Sequence, residues 1–313
     1  MIDLSYNLSS NIKQDLDKIE NLRAKILLTP LSLNTELKLK WSAIVNKIYW
    51  SLLLDGAIIN KSEIIKTLST VSQKETHAVN LQKEILGYKK ALDYINYEWL
   101  VSSKKINSKT IINLHDLASN GTLKTTESSL KQILEYIQSG SEHPIIQMAI
   151  AHIAILNLNG FSAGNGKISR LTTYLFLSKY GYDFRGLLCL DEYLKRDIVS
   201  YESNIKAVSD GGSLTLWIEY FTKGIIVQLE KALTDILSEK YSPDLKKDFF
   251  ELNDRQKEIL SILGQPGTNI SNKKVQKMFK VSQITASRDL SKLGALGLLF
   301  IHGKGRSVYY TKI

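Results

Sequence analysis

Along most of the chain, apolar side chains return every three or four positions. Ile12, Leu16, Ile19, Leu22 and Ile26 share one face of a predicted helix, which Pro30 ends. A second helix is predicted from Glu36 to about Leu54. Another covers Asn80–Tyr97, with Leu81, Ile85, Tyr88, Ala91 and Ile95 on one side. Ser108 is placed to cap a helix over Thr110–Ala118, and Pro144 to open an apolar helix that runs to Leu158. Helical spacing resumes over Ile168–Lys179, after Gly166. The stretch Ser213–Lys240 reads as a single long helix, with a break near Gly224 as the alternative. No alternating run of strand length occurs before residue 290, so the first 240 residues are expected to be nearly all helical.

Past Tyr241-Ser242-Pro243-Asp244 the pattern changes, and residues 241–250 read as a linker. Arg255–Leu263 is a helix, Gly264-Gln265-Pro266-Gly267 a turn, and Asn272–Phe279 and Ser282–Leu293 are two short helices. Leu298–Ile301 and Ser307–Tyr310 are β-rich runs flanking His302-Gly303-Lys304-Gly305-Arg306, which predicts a hairpin with a basic tip. The expected organisation is an N-terminal helical region over 1–78, a helical domain over 79–240, the linker, and an α+β module over 251–313.

Composition narrows the classes. Of 313 residues, 43% are hydrophobic and 23% charged, as in ordinary globular chains. No run of about 18 apolar residues suggests a membrane span, and Met1–Ser5 lacks the basic and apolar blocks of a signal peptide. A lone cysteine, Cys189, excludes an internal disulfide, and a cytoplasmic home is expected. His77, His115, His143, His152 and His302 show no metal-ligand spacing, so no metal site is expected. The net charge of +10 is uneven: residues 251–313 carry 11 Lys/Arg against 4 acids. A field so concentrated suits a polyanionic partner, although a lysine-rich solvated surface would look the same by charge alone.

Two short helices joined by a tight turn and followed by a basic hairpin describe a winged helix-turn-helix. Its second helix is narrow enough for the major groove, and its wing reaches neighbouring phosphates. The runs Asp254–Leu260, Val281–Leu290 and Gly303–Tyr310 resemble the DeoR-type winged helices of transcription regulators. The resemblance implies that Ser282 caps the recognition helix. Gln283, Thr285, Ala286, Ser287 and Arg288 would then face the groove, with Lys304 and Arg306 on the wing and DNA as the partner. A winged helix used only for protein contacts is the alternative.

The segment Asn159-Gly160-Phe161-Ser162-Ala163-Gly164-Asn165-Gly166-Lys167-Ile168-Ser169-Arg170 lies between two predicted helices. Glycines at 164 and 166 permit a tight turn whose amides can converge on one anion, aided by the positive end of the next helix. Lys167 and Arg170, one turn apart, can reach outlying phosphates, so Gly164, Asn165, Gly166, Lys167 and Arg170 are the candidate nucleotide-binding residues. A Gly-x-Gly turn by itself is more often a plain loop.

This segment resembles the Fic (Fic/DOC) family, whose signature reads HPFx(D/E)GNGRxxR. The similarity extends to His143–His152, to Ile112-Asn113-Leu114-His115 and to Gly211–Phe221. A C-terminal winged helix is a common attachment in that family. The resemblance implies transfer of AMP from ATP to a Ser, Thr or Tyr hydroxyl of a target protein. The motif His would be the base, the acid would hold Mg2+, and the glycines and arginines would bind the phosphates. This chain has Asn159 at the His position and Ala163 at the acid position. An amide cannot take the proton, and loss of a general base costs about 10²–10⁴-fold in rate. Gly160 replaces the proline, and Lys167 replaces the first arginine without its planar fork. The anion cradle survives, so ATP fits the reading, while the missing carboxylate counts against Mg2+.

His152, two helical turns before Asn159 and so about 10 Å away, is read as a core histidine rather than a replacement base. Ser51-Leu52-Leu53-Leu54-Asp55-Gly56 has the spacing of the family's inhibitory helix, (S/T)xxxE(G/N). Asp55 is one methylene shorter than Glu, which shortens its reach to Arg170; an Asp-Gly helix end with no partner is the alternative. Residues Asn120–Ser139, where a target-docking flap is implied, show no clear hairpin. Tyr201 falls near the family's adenine-contacting aromatic.

The combined expectation is a Fic-type protein with a degenerate motif. It would bind a nucleotide or phosphate, transfer AMP weakly or not at all, and dock on DNA. Two other readings stand beside it: an active protein adenylyltransferase, and a non-enzymatic regulator whose Fic domain is a dimerising body. A homodimer would suit the paired half-sites that helix-turn-helix proteins often read.

Overall fold

The computed structural model describes residues 4–69, 80–140, 142–238, 252–264, 268–296, 298–302 and 308–312. Helix α1 (Ser10–Leu28) is capped by Ser9, whose hydroxyl accepts from the Ile12 amide at 3.2 Å. It buries Ile12, Ile19, Leu22 and Ile26, the predicted stripe, against the long helix α11 (Thr215–Ser238). Polar groups fasten the two together. Ser9 Oγ donates to Glu219 at 2.6 Å, and Thr222 Oγ1 to Asp15 at 2.7 Å. The first and last helices of the body are thus neighbours, although some two hundred residues separate them.

Helix α2 (Leu33–Leu54) buries Trp41, Ile48 and Leu52, and α3 (Lys61–Ser69) packs beside it and beside α4 (Asn80–Glu98). Helix α5 (Ser108–Ala118) begins one residue earlier than Ser108 as a cap would allow. Asn107 takes that role in a reciprocal capping box with Thr110, and Ser108 turns inward to donate to Glu127 at 2.7 Å. Helix α6 (Glu127–Ser139) follows.

The centre is the pair α7 (Pro144–Leu158) and α8 (Asn165–Lys179). Every residue from Ile145 to Ile155 on α7 is buried, as is every residue from Lys167 to Lys179 on α8. Helices enclosed on all sides form the middle of a domain. Helices α9 (Leu190–Arg196) and α10 (Ile198–Ser209) lead into α11. That helix passes Gly224 without a break, which favours the single long helix over the broken alternative. A β-carbon there would come within 2.5 Å of the Tyr193 ring, so the glycine serves close packing on α9.

The C-terminal module consists of α12 (Asp254–Ile262), α13 (Asn272–Phe279), α14 (Gln283–Ala295) and the antiparallel strands β1 (Leu299–His302) and β2 (Tyr309–Lys312). The second strand lies two residues later than the sequence suggested. Tyr310 also bridges to Ile270, and this third short edge leaves Ile270 fully buried. Ile259, Val275, Ala286, Leu290 and Leu293 form the small core. Asp289, 4% exposed, accepts from Arg255 at 2.5 Å and Gln256 at 2.8 Å, which joins α12 to α14. The proposed linker and the tip residues Lys304 and Arg306 lie outside the described residues. Among the described residues, no helix is long and apolar enough to cross a membrane.

Candidate functional site

The site begins where α7 stops. Asn159 sits at φ 46° and ψ 43°, the left-handed region, and ends the helix as its C-cap. Asparagine tolerates that conformation better than most residues because its short amide can bond locally. The following loop is held from both sides. Gly160 O accepts from the amides of Lys124 (2.7 Å) and Thr125 (3.1 Å), and the Ser162 amide donates to Thr122 O at 2.8 Å. Phe161 is buried and stacked on His115 at 4.1 Å, and His115 Nε2 donates to Ala163 O at 3.2 Å. The segment implied as a flap therefore carries one short strand-like stretch against the loop and then α6, with no hairpin among its described residues.

Asn165 takes a role the sequence did not suggest. Its Oδ1 accepts from the Phe161 amide at 2.9 Å, and its Nδ2 donates to Phe161 O at 2.8 Å. The side chain is thus spent on bracing the loop, which leaves a ligand the backbone only. Gly164, at φ 78°, is the N-cap of α8, and a β-carbon there would lie 2.4 Å from Ser119 Oγ. Only glycine fits both the space and the dihedral. With no side chain to cap the helix, the first-turn amides of α8 line a cavity of about 520 Å³ formed by residues 163–167, Ser119, Lys83, Glu84 and Asp55.

Two cations stand behind this cradle, and both are engaged. Lys167 Nζ lies 3.0 Å from Glu84 Oε2 and 3.6 Å from Asp55 Oδ2. Arg170, 4% exposed, sits deeper. Its Nε donates to Ser51 Oγ at 2.8 Å, and its Nη2 to Ser51 O at 3.1 Å and to Asp55 Oδ1 at 2.6 Å. Asp191 Oδ1, 3.1 Å from Nε, faces it from α9. Asp55, the C-cap of α2, therefore reaches Arg170 despite its shorter side chain. Burial works against the guanidinium charge, but the carboxylates of Asp55 and Asp191 outweigh it and raise its pKa. Burial pushes Asp191 upward, opposed first by Arg170 and then by the Tyr174 hydroxyl that donates to it.

His152 is fully buried and does not open on the cavity. Its Nδ1 is 2.9 Å from Thr173 Oγ1 and its Nε2 2.9 Å from the Tyr201 hydroxyl. Thr173 Oγ1 donates to Ser169 O at 3.2 Å, so it accepts from Nδ1–H, and Tyr201 donates to Nε2. Burial, reinforced by the charge of Arg170, lowers the His152 pKa to about 3. It is a neutral core imidazole. Tyr201, 6% exposed, is committed to it and does not line the cavity, which corrects the adenine expectation.

Sequence reasoning missed Glu84 and Asp191. Neither belongs to a motif, and only the packing of α4 and α9 around α8 brings them to Lys167 and Arg170. No carboxylate in the cradle is spare for Mg2+: Asp55 and Glu84 face the two cations, and position 163 offers a methyl group. Among the described residues, no group of three or more His, Cys, Asp or Glu is arranged to hold a metal. The donor set does not fit the ion.

In the C-terminal module Ser282 caps α14, accepting from the Thr285 amide at 3.2 Å. Gln283, Ser287 and Arg288 are exposed and Thr285 is half-buried. Ala286 is fully buried and belongs to the core, contrary to its predicted place in the groove-facing set. The residue that stands outward instead is Ile284, 65% exposed.

A buried helix pair with a glycine turn, a helix N-terminus and two cations behind it defines a helical domain with a candidate anion site. Comparison with known proteins makes that class specific. Residues 105–177 match the Fic/DOC family, so the chain carries a Fic/DOC domain. Protein adenylyltransferase Fic of Drosophila grimshawi is 28% identical over 168 residues, covering 46% of this chain and 35% of the relative. The Culex quinquefasciatus protein of the same name is 25% identical over 165 residues, covering 45% and 33%. The chain spans about a third of the length of these curated relatives. A Fic family protein from Desulfovibrio desulfuricans superposes with a TM-score of 0.61 at 11% identity, over 99% of this chain and 98% of that one. Fic-1 from C. elegans does so with 0.61 at 17% identity, over 74% and 75%. These likenesses establish the mostly helical Fic fold.

Proposed function

We propose that the Fic/DOC domain binds a nucleotide or another phosphate compound in the Gly164–Lys167 cradle and transfers AMP weakly or not at all. In the same proposal, residues 251–313 form a winged helix-turn-helix that docks on DNA. The observation that carries the first part is Arg170. It is a buried cation behind an open cavity, held by Ser51 and Asp55 of a different helix, in the second turn of α8. A carboxylate so placed occupies the position a phosphate would take. Asp55 and Ser51 then act as an internal brake on ligand binding, and displacement of Asp55 would free Arg170 and Lys167 together.

Weak transfer follows from chemistry. To move AMP from ATP, the attacking hydroxyl must lose its proton while pyrophosphate departs. Asn159 cannot accept that proton, and His152 is sealed in the core as a neutral group. The DNA reading is supported by the capped helix α14, with one face open to solvent, beside the exposed cations Lys273, Lys274 and Lys277 of α13 and its C-cap Lys280.

The test incubates the full chain with labelled ATP, with and without Mg2+, and measures binding and self-labelling separately. Binding without labelling is expected, and Asp55→Ala should tighten it about tenfold, the equivalent of one charge-assisted hydrogen bond released from competition. Labelling by the unmodified chain would make it a working transferase. Neither binding nor labelling, even for Asp55→Ala, would leave the domain as a structural body. Asn159→His with Ala163→Asp should confer labelling if the cradle is intact.

A further inference from the structure

We propose that Ile284 reads a thymine C5-methyl group in the major groove, which makes it a specificity-determining residue of the DNA-binding module. The inference rests on the DNA reading above. At about 100° per residue, Ile284 lies on the side of α14 opposite Leu293, which is fully buried in the module's core. It is therefore no fringe of that core. Its 65% exposure is measured with the whole chain in place, so neither the body nor α13 covers it.

Its neighbours decide the kind of partner. On the same side of α14 stand Gln283, Ser287 and Arg288, all exposed, and α13, which packs against α14, carries exposed lysines. A protein partner would need a continuous apolar patch at the contact centre, with charge kept to the rim. On α14 Ile284 is the one exposed large apolar side chain among the described residues, set among hydrogen-bonding and cationic ones, and on α13 only Met278 joins it. The major-groove floor has the complementary make-up. Guanine offers acceptors to arginine, adenine pairs with glutamine through a donor and an acceptor, and the thymine methyl is the one apolar group on a base edge. The surplus of basic residues in 251–313 supplies attraction to the backbone without sequence preference. Gln283, Ile284 and Arg288 thus offer one partner each for adenine, thymine and guanine, along less than two turns of helix.

The experiment uses the full chain to enrich duplexes from a random-sequence library at fixed salt. The enriched duplex is then made twice, once with thymine and once with deoxyuridine, which lacks only the methyl. Burial of one methyl-sized group predicts about fourfold weaker binding of the uracil duplex by the wild-type chain. Ile284→Ala should bind the thymine duplex at least fourfold more weakly and should no longer distinguish the two. The side chain is exposed and alanine favours helix, so this variant is expected to fold. Equal wild-type binding of the two duplexes would overturn the proposal, as would discrimination retained by Ile284→Ala. Binding without enrichment of any sequence would overturn it too, leaving backbone attraction alone. No binding of any duplex at low salt would instead remove the DNA reading on which it stands. A change of oligomeric state in Ile284→Ala with duplex binding unaltered would reassign the residue to a contact between copies.

Discussion

The cradle and the C-terminal module each gather positive charge, but they treat it in opposite ways. Lys167 and Arg170 are 5% and 4% exposed and face Asp55, Glu84 and Asp191. Lys273, Lys277 and Arg288 lie open to solvent on the outer surfaces of α13 and α14. In the first region a cation is costly to leave alone, so the fold supplies carboxylates, and a ligand must compete with at least one of them. In the second the cations are hydrated, cost nothing to maintain, and are available to any polyanion that approaches. On the function proposed above, the first arrangement suits selective, gated binding and the second fast attraction, because burial multiplies the strength of an ion pair while water screens it.

Substitution should expose that contrast most clearly at the two arginines. Arg170→Met would strand the buried carboxylate of Asp191, and a loss of about 3–5 kcal/mol in urea unfolding is expected. A loss under about 1 kcal/mol would mean that Arg170 is not the keystone that its burial implies. His152 gives a second, pH-dependent measure of the buried region. The unfolded chain takes up a proton at this residue below its ordinary pKa of 6.5, whereas the native imidazole stays neutral down to about 3. The unfolded state therefore binds more protons in that window. The stability present at neutral pH falls as pH drops from about 6.5 toward 3, by roughly 1.4 kcal/mol per unit. His152→Gln should flatten this acid limb when unfolding is followed at about pH 7, 5.5 and 4.5; equal slopes for the two proteins would contradict the buried neutral assignment. The smallest effect is expected at Arg288→Ala, where stability should move by no more than about 0.5 kcal/mol. Its signature is elsewhere, as a loss of about 1–3 kcal/mol in preference for the enriched duplex over one changed at a G·C pair. An unchanged preference would detach Arg288 from a guanine edge.

Much of the framework could be read from residue order. The stripe in α1, Pro144 at the first turn of α7, Ser282 as the cap of α14 and the sharp turn at Gly164 are local matters, set by side chains within a few positions of one another. The failures were also local competitions decided elsewhere. Asn107 displaced Ser108 as the cap of α5 because Ser108 had Glu127, nineteen residues on, to donate to. At Gly224, by contrast, the single-helix reading of α11 holds, and the glycine leaves room for the Tyr193 ring. Ala286, expected on the groove-facing side, is buried and Ile284, which had no assigned place, stands outward, since a helix with several apolar residues can settle on more than one face until its neighbours are known.

What the sequence determined by itself is the inventory: a helical body, a glycine turn opening a helix, two cations one turn apart, no proton acceptor at 159, and a basic tail with its own caps. These depend on spacing, backbone freedom and the chemistry of single side chains. What only the tertiary structure decided is the partner of each charge. Glu84 and Asp191 meet Lys167 and Arg170 through the packing of three helices remote in sequence. Ion pairing depends on distance in space and on exclusion of water, and neither is encoded in the interval between two residues along a chain.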